Sequence, residues 1–550
     1  MSRAPVHRAL AEALHQLGVR QAFGLLGSGN FRMLRHLVED RGAGWHWSRQ
    51  ETAAVVMADV WARITGEVGF ATVHQGPGLT NAVTGLTESV KSRTPLLLFA
   101  GEVATTARGA NQELDQDALA RAVGAGAERV ISPATAVADL VRAYRRARDE
   151  RLPIVLSVPI DIQEQECELE EVSLPPPPPP ARPSAESVAR VADLIADAER
   201  PLVLGGRGAA RAAARQPLEE LAERTGALLA TSAPANGLFA GNPYSLGICG
   251  GFASPVAQEL VPRTDLLLAF GASLNRWTSR TGAMITSEMR IVQIDADPAA
   301  IAARRAVTGS LVGDAAEAAT ALVEELDRRG VRLPGFRAEL EPSALDGGGW
   351  ERRDRSGPRG LDPEALMRAL EERLPQERTL TADGGHFMGW PAMHLSVPDQ
   401  QGWVFNQGFQ VVGIGIAAGI GAAVARSDRI CVNVLGDGGA MMTLGELDAA
   451  ISQRLPILIV VMDDAAYGAE VHHFGPEGHS TGLVEFGERD FAAIAGSMGG
   501  EGLTIRELSD LDDERLTAWL AGPEAPFLLD CKIDPTIVAE WSEEAFKGGA

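Results

Sequence analysis

The sequence predicts an α/β protein built from three parallel-sheet domains, with the first and third folded alike. Three observations carry this. Two breaks rich in proline, glycine and charge divide the 550 residues into three segments. Each segment alternates short apolar runs with amphipathic stretches, the pattern of strands layered between helices. One strand–loop–helix–strand pattern also occurs twice, once near each end of the chain.

The first break, SLPPPPPPARP, spans residues 173–183. Consecutive prolines hold an extended helix without internal hydrogen bonds, so this stretch reads as a semi-rigid linker. The second, around LDGGGWERRDRSGPRG, joins glycine to dense charge and places a linker at 341–357. The expected domains are therefore 1–172, 184–340 and 358–550.

The repeated pattern is GFATVHQGPGLTNAVTGLTESVKSRTPLLLFAGE (69–102) and RICVNVLGDGGAMMTLGELDAAISQRLPILIVVMDD (429–464). Each reads strand, Gly-rich loop, helix, Arg-x-Pro, strand, with Arg93 and Pro95 answering Arg454 and Pro456. In the second copy Thr443 and Glu446 have the spacing of a capping box. Leu444, Leu447, Ile451 and Leu455 then form one apolar stripe.

Composition narrows the function. Fifty basic against 73 acidic residues give a net charge of −23, which argues against a nucleic-acid or anionic-membrane partner. Four scattered cysteines without a CxxC suit a reduced, cytoplasmic protein without structural zinc. The N-terminal stretch is amphipathic and lacks the long apolar core of a signal peptide. The longest apolar run, VVGIGIAAGIGAAVA (411–425), is too short and glycine-rich to span a bilayer.

The chemistry centres on ILIVVMDDAAYG (457–468). Six apolar residues read as a buried strand that ends in two carboxylates, Asp463 and Asp464. Buried charge costs several kcal/mol unless it is paired or bound to a cation. Asp437, in VLGDGGAMM, ends the preceding strand of the same unit. Parallel strands open on one edge, so Asp437 and Asp464 can converge. Gly436, Gly438 and Gly439 allow backbone N–H groups to face an anion. Acidic oxygens beside a phosphate cradle suggest Mg²⁺. Asp463 is left to hydrogen-bond backbone or cap the turn.

GDG, then 24 residues, then a paired position resembles the thiamine-diphosphate signature, with Asp463-Asp464 where the family has two asparagines. The likeness to acetolactate-synthase-like enzymes covers nearly the whole length. It implies that Asp437, the Asp464 side chain and the Ala466 carbonyl hold Mg²⁺. It further implies that Gly385, His386, Gly438, Gly439 and Ala440 contact the diphosphate, with Gln410 and Tyr467 completing the cofactor contacts. Val412 falls at the wedge beneath the two cofactor rings. SRQETAAVVMADVWARITG (48–66) resembles the helix bearing the family's catalytic glutamate, which makes Glu51 the candidate. In the family that carboxyl stabilises the pyrimidine tautomer that removes the thiazolium C2 proton.

NQELDQ (111–116) resembles the family's FQE region and places Gln112 toward the thiazolium. His74 and Ser28 match active-site positions of benzoylformate decarboxylase. His472, His473 and His479 fall in a possible lid. In the central segment GGRGAA is a weak dinucleotide hint. FAD, which acetolactate synthase binds there, is the less favoured reading, and Asn236 stands where many members have lysine.

The resemblance implies an enzyme that decarboxylates a 2-oxo acid and passes the enamine to a second carbonyl. A non-ligating decarboxylase and a catalytically inactive regulatory subunit are the alternatives. Because Glu51 and the metal site lie in different domains, the family arrangement implies a homodimer or homotetramer with sites between subunits.

Overall fold

The computed structural model describes residues 3–539 and 541–542, so the outermost ends of the first and third segments lie outside the described residues. Three six-stranded parallel sheets are present. The first runs Gly44–Trp47, Gln21–Gly24, Gly69–Val73, Leu96–Glu102, Pro153–Pro159 and Gly126–Arg129 from edge to edge. The third runs Trp403–Phe405, Arg378–Ala382, Ile430–Gly436, Ile457–Asp463, Phe527–Lys532 and Glu501–Ile505. Numbered in chain order, both sheets have the order 2-1-3-4-6-5. The first and third domains thus share a topology, as the repeated pattern predicts.

The repeat extends to backbone detail. Arg93 and Arg454 each follow the crossover helix of their unit, and each has φ of +52°. A non-glycine residue in the left-handed region is uncommon. Its occurrence at both copies shows that the chain leaves the helix by the same turn each time.

The central sheet has the order 3-2-1-4-5-6, with Pro201–Gly205 and Leu266–Phe270 at its centre. This is the doubly wound order in which ligands bind where the direction of winding reverses. Here the loops on either side of that point touch: Gly206 N donates to Phe270 O at 2.8 Å and Gly208 N to Gly271 O at 3.0 Å. A Cβ on Gly206 would fall 2.3 Å from Gly271 O, so the glycines serve a close loop-to-loop contact. Arg207 and Arg211 turn outward from the loop and donate to Lys91 O and Ser92 O in the first domain. Arg207 of the GGRGAA loop and Arg211 just after it thus dock one domain on another, with the carbonyls at a helix C-terminus as acceptors.

Residues 173–183 carry no regular structure and cross the surface. The short helix Pro342–Gly349 packs against the central domain and contributes Leu345 to its core.

The first and third domains meet through two helices. Glu51–Thr65 is buried along most of its length, with Val55, Val56, Met57 and Val60 all within the core. Each such side chain contributes about 1.5–3 kcal/mol. The helix ends at Gly66, whose φ of +79° forms a left-handed cap. Gly415–Ala425 is the apolar run that is too short for a membrane, and it crosses this helix. A Cβ on Gly421 would lie 2.4 Å from Met57 O, so the glycines let the two backbones touch. One hydrophobic core runs continuously through both domains. Among the described residues no helix is long and apolar enough to cross a membrane.

Candidate active site

The candidate residues gather at the C-terminal edges of the first and third sheets, where strand-to-helix loops present groups to ligands. In the first domain Glu51 opens its helix, with its carboxylate at the positive end of the helix dipole. Gln50 caps the helix by accepting the Ala53 amide. Glu51 is only 8% exposed. Its Oε2 accepts from Asn81 Nδ2 at 3.0 Å, which ties the acid to the helix that follows the GPG loop. A side chain begun at Gly78 would meet His74 Cβ at 3.2 Å and Glu51 Oε1 at 3.6 Å. His74 and Glu51 therefore flank one small gap.

The partners of His74 fix its tautomer. Gly29 N donates to His74 Nδ1 at 3.2 Å, so Nδ1 accepts and the neutral ring carries its proton on Nε2. Gln112 lies 3.3 Å from that nitrogen and 3.1 Å from the Gln75 amide. Donors and acceptors balance when the amides of both Gln112 and Gln75 are turned about, so that Gln112 Oε1 accepts from His74 Nε2 and Gln112 Nε2 donates to Gln75 Oε1. Burial holds the His74 pKa below its usual value, which keeps the ring neutral. Ser28 is exposed in the loop whose glycines lie against this ring. Glu51, His74, Gln112 and Ser28 are thus brought to one edge.

In the third domain Asp437 begins the helix Asp437–Met442, and Asp464 follows the strand Ile457–Asp463. Both are buried, and each carboxyl lies close enough to feel the other. Burial, and then the charges of Asp464 and Asp463, push the Asp437 carboxyl well above the ordinary range. Burial pushes Asp464 up as well. Asp464 Oδ2 has His386 Nε2 at 3.4 Å but no hydrogen-bond partner. Two buried carboxyls held together with an unpartnered oxygen fit a hard divalent cation. Among the described residues no cluster of three or more His, Cys, Asp or Glu is arranged for a metal. The Asp437 and Asp464 pair fits an ion that takes one or two carboxylates together with carbonyl and phosphate oxygens.

The remaining cofactor candidates surround this pair. Gly438, Gly439 and Ala440 form the buried first turn after Asp437. Tyr467 packs its ring over Gly438, and Val412 lies beside Gly439. Gly385 and Gly436 share the Phe387 ring, and His386 sits against Gly468. Gln410 is exposed with φ of +58° in the loop leading to Val412. His472 Nε2 donates to Pro535 O at 2.7 Å, and the ring packs edge-on to His386. His479 is exposed and stands apart from the carboxyl pair.

Asp463 has a different role from its neighbour. It accepts the Ala465 amide at 3.0 Å and pairs with buried Lys532, which also reaches Asp530 at 2.9 Å. Burial opposes the charge of Lys532, but Asp463 and Asp530 outweigh it and hold its pKa above the usual value. The second carboxylate of the strand end is therefore neutralised by an internal cation.

Sequence reasoning missed Asp383. It is fully buried and accepts Gly384 N and Gly413 N at 2.9 Å and Ile414 N at 3.2 Å, so it shapes the loop carrying Val412. Burial pushes its pKa up to about 6. Its place just after a strand is the same signal that singled out Asp437.

The capping box expected at Thr443 and Glu446 does not form. The helix Gly445–Ser452 has no side-chain cap, and Thr443 Oγ1 is buried without a partner. Glu446 instead accepts the Arg49 amide at 2.9 Å. A backbone donor from the other domain has won the carboxylate.

Three family models match the chain in succession. They are the thiamine pyrophosphate enzyme N-terminal TPP binding domain over residues 5–119, the central domain over 188–322, and the C-terminal TPP binding domain over 383–531. Among similar curated proteins is an acetolactate synthase large subunit from Parasynechococcus marenigrum, 29% identical over 96% of this chain and 87% of the relative. A sulfoacetaldehyde acetyltransferase from Roseovarius nubinhibens is 27% identical over 98% of this chain and 94% of the relative. A putative thiamine pyrophosphate-containing protein from Bacillus subtilis is 26% identical over 93% and 89%. With both candidate loops on matched domains, the chain belongs to the thiamine pyrophosphate enzyme family.

Proposed function

We propose that the chain is a Mg²⁺- and thiamine-diphosphate-dependent carboligase that decarboxylates a 2-oxo acid and joins the remaining unit to a second carbonyl compound. The observation that carries this reading is the buried Glu51 carboxylate, held by Asn81 beside His74, together with the paired carboxyls Asp437 and Asp464. When bound, thiamine diphosphate supplies a carbon nucleophile and an electron sink for the departing CO₂.

The chain's residues position and protonate. Asp437, Asp464 and the Ala466 carbonyl would hold the metal, while amides of Gly438, Gly439 and Ala440 would face the diphosphate. Glu51 would bond the pyrimidine ring. The neutral His74, with its proton on Nε2 and oriented by Gly29 and Gln112, would handle protons near the substrate.

Exposed apolar side chains support a site completed by a second copy. Leu26 lies beside Ser28, and Val412, Met441, Met442 and Tyr467 surround Asp437, each at least 40% exposed. Apolar groups clustered at polar loops mark a surface that another chain covers. The contacts of Arg207 and Arg211 with the first domain support a docking role for this loop.

CO₂ release from a panel of 2-oxo acids, with and without an acceptor aldehyde, tests this reading. Acceptor-dependent ketol formation, lost in Glu51→Gln, supports it. Free aldehyde without an acceptor supports a simple decarboxylase, and no turnover with cofactor bound supports an inactive subunit.

A further inference from the structure

Two buried glutamates make the same contact in opposite directions. Glu446 lies in the third domain, on the helix Gly445–Ser452 that follows the Asp437 loop. Its carboxylate accepts the Arg49 amide of the first domain at 2.9 Å, two residues before Glu51. Glu88 lies in the first domain, on the helix Pro77–Lys91 that follows the GPG loop. Its carboxylate accepts the Gly408 amide at 3.1 Å and the Phe409 amide at 2.6 Å, in the third-domain loop that leads through Gln410 to Val412.

Each glutamate is 1% exposed. Each therefore binds backbone N–H of the opposite domain, one group for Glu446 and two consecutive groups for Glu88, just before that domain's candidate cofactor residue. Charge balance differs between them. Arg63 donates to Glu88 at 3.0 Å and to Phe405 O at 3.1 Å. Around Glu446, Arg49 is engaged with Asp448, and Glu446 Oε2 has no partner. A buried carboxyl oxygen that accepts backbone amides is a directional hold on the segment that donates them.

We propose that Glu446 and Glu88 are positioning residues, a reciprocal pair of carboxylate latches through which each cofactor-binding domain sets the other's cofactor loop. The proposal rests on the reading of Glu51 and Val412 as cofactor residues. Because both contacts lie within one chain, each chain would align its own two domains before any partner arrives.

Hydrogen–deuterium exchange on the cofactor-free full chain tests the latches independently of catalysis. Glu446→Ala should deprotect amides 49–51 and leave 408–412 protected. Glu88→Ala, in which Arg63 keeps Asp59 as its partner, should do the reverse. Glu446→Gln, which keeps an acceptor, should restore most of the protection that Glu446→Ala loses. Exchange of the thiamine C2 proton in the reconstituted protein is the second readout. It should slow about 10- to 100-fold in Glu446→Ala, as expected for a misplaced catalytic group. Deprotection of both loops together, or only of the mutated helix, would overturn the proposal. So would crossed deprotection with C2 exchange unchanged while Glu51→Gln abolishes it. If Glu51→Gln itself leaves C2 exchange intact, the acid assignment fails instead, and crossed deprotection would still support the latches.

Discussion

Asn81 donates its side-chain amide to Glu51 Oε2 across 3.0 Å, joining the candidate acid to the loop-and-helix unit that also carries His74. This contact orients one carboxyl oxygen and leaves Oε1 facing the gap beside His74. Asn81→Ala should lower kcat about tenfold, and Glu51→Gln about 100-fold or more, the range for loss of a general acid–base group. Steady-state CO₂ release measures both, with far-UV circular dichroism unchanged. Equal activity in Asn81→Ala and the parent would remove Asn81 from the site.

Lys532 is the internal counter-ion of Asp463 and Asp530. Lys532→Met leaves two buried carboxylates facing each other without a cation. The expected loss of stability is about 3–5 kcal/mol, the range for breaking a buried pair by removing one partner. Urea unfolding at neutral pH measures it. A loss below about 1 kcal/mol would assign the triad the weight of a surface ion pair.

Asp437 and Asp464 should bind Mg²⁺ with differing demands on the side chain. Mg²⁺ and thiamine diphosphate together should raise the melting temperature, with about 2.7 kcal/mol gained at 100 times the dissociation constant. Asp437→Ala should abolish this shift. Asp464→Asn keeps an oxygen ligand and should retain it.

The carboxyl of Glu446 is pushed up to about 7 by burial, from an ordinary 4.5. The folded chain then binds this proton more tightly than the unfolded chain. The stability it contributes is complete below pH about 4.5 and is lost as pH rises through about 7. Each pKa unit is worth about 1.4 kcal/mol. Glu446→Gln carries no titrating group, so its stability relative to the parent should improve between pH 5 and 8. Urea midpoints across that range give the slope, and parallel slopes for the two proteins would contradict it.

Much of the fold was legible because it rests on local pattern. The duplicated strand–helix–strand unit announced itself through spacing, and Arg93 and Arg454 share even their positive φ. Asp437 and Asp464 were legible as charges at strand ends. The contacts that escaped are those made by distant partners. Glu446 reads as a capping residue until Arg49, 397 positions away, offers its amide. Asp463 reads as a turn residue until Lys532 appears beside it. Asp383 follows its strand just as Asp437 does, but only the folded loop shows three amides converging on it. The dinucleotide hint of GGRGAA failed differently: its glycines are real close-approach sites, but what approaches is Gly271.

Co-expression of two inactive variants, Glu51→Gln and Asp437→Ala, tests the central claim most directly, that the acid of one chain serves the metal and cofactor held by another. In a mixed dimer one site combines the intact Glu51 of one chain with the intact Asp437 of the other. Random assembly should restore about a quarter of the parent activity. Activity no higher than that of the separate variants, in a sample where mixed dimers are demonstrated, would contradict it.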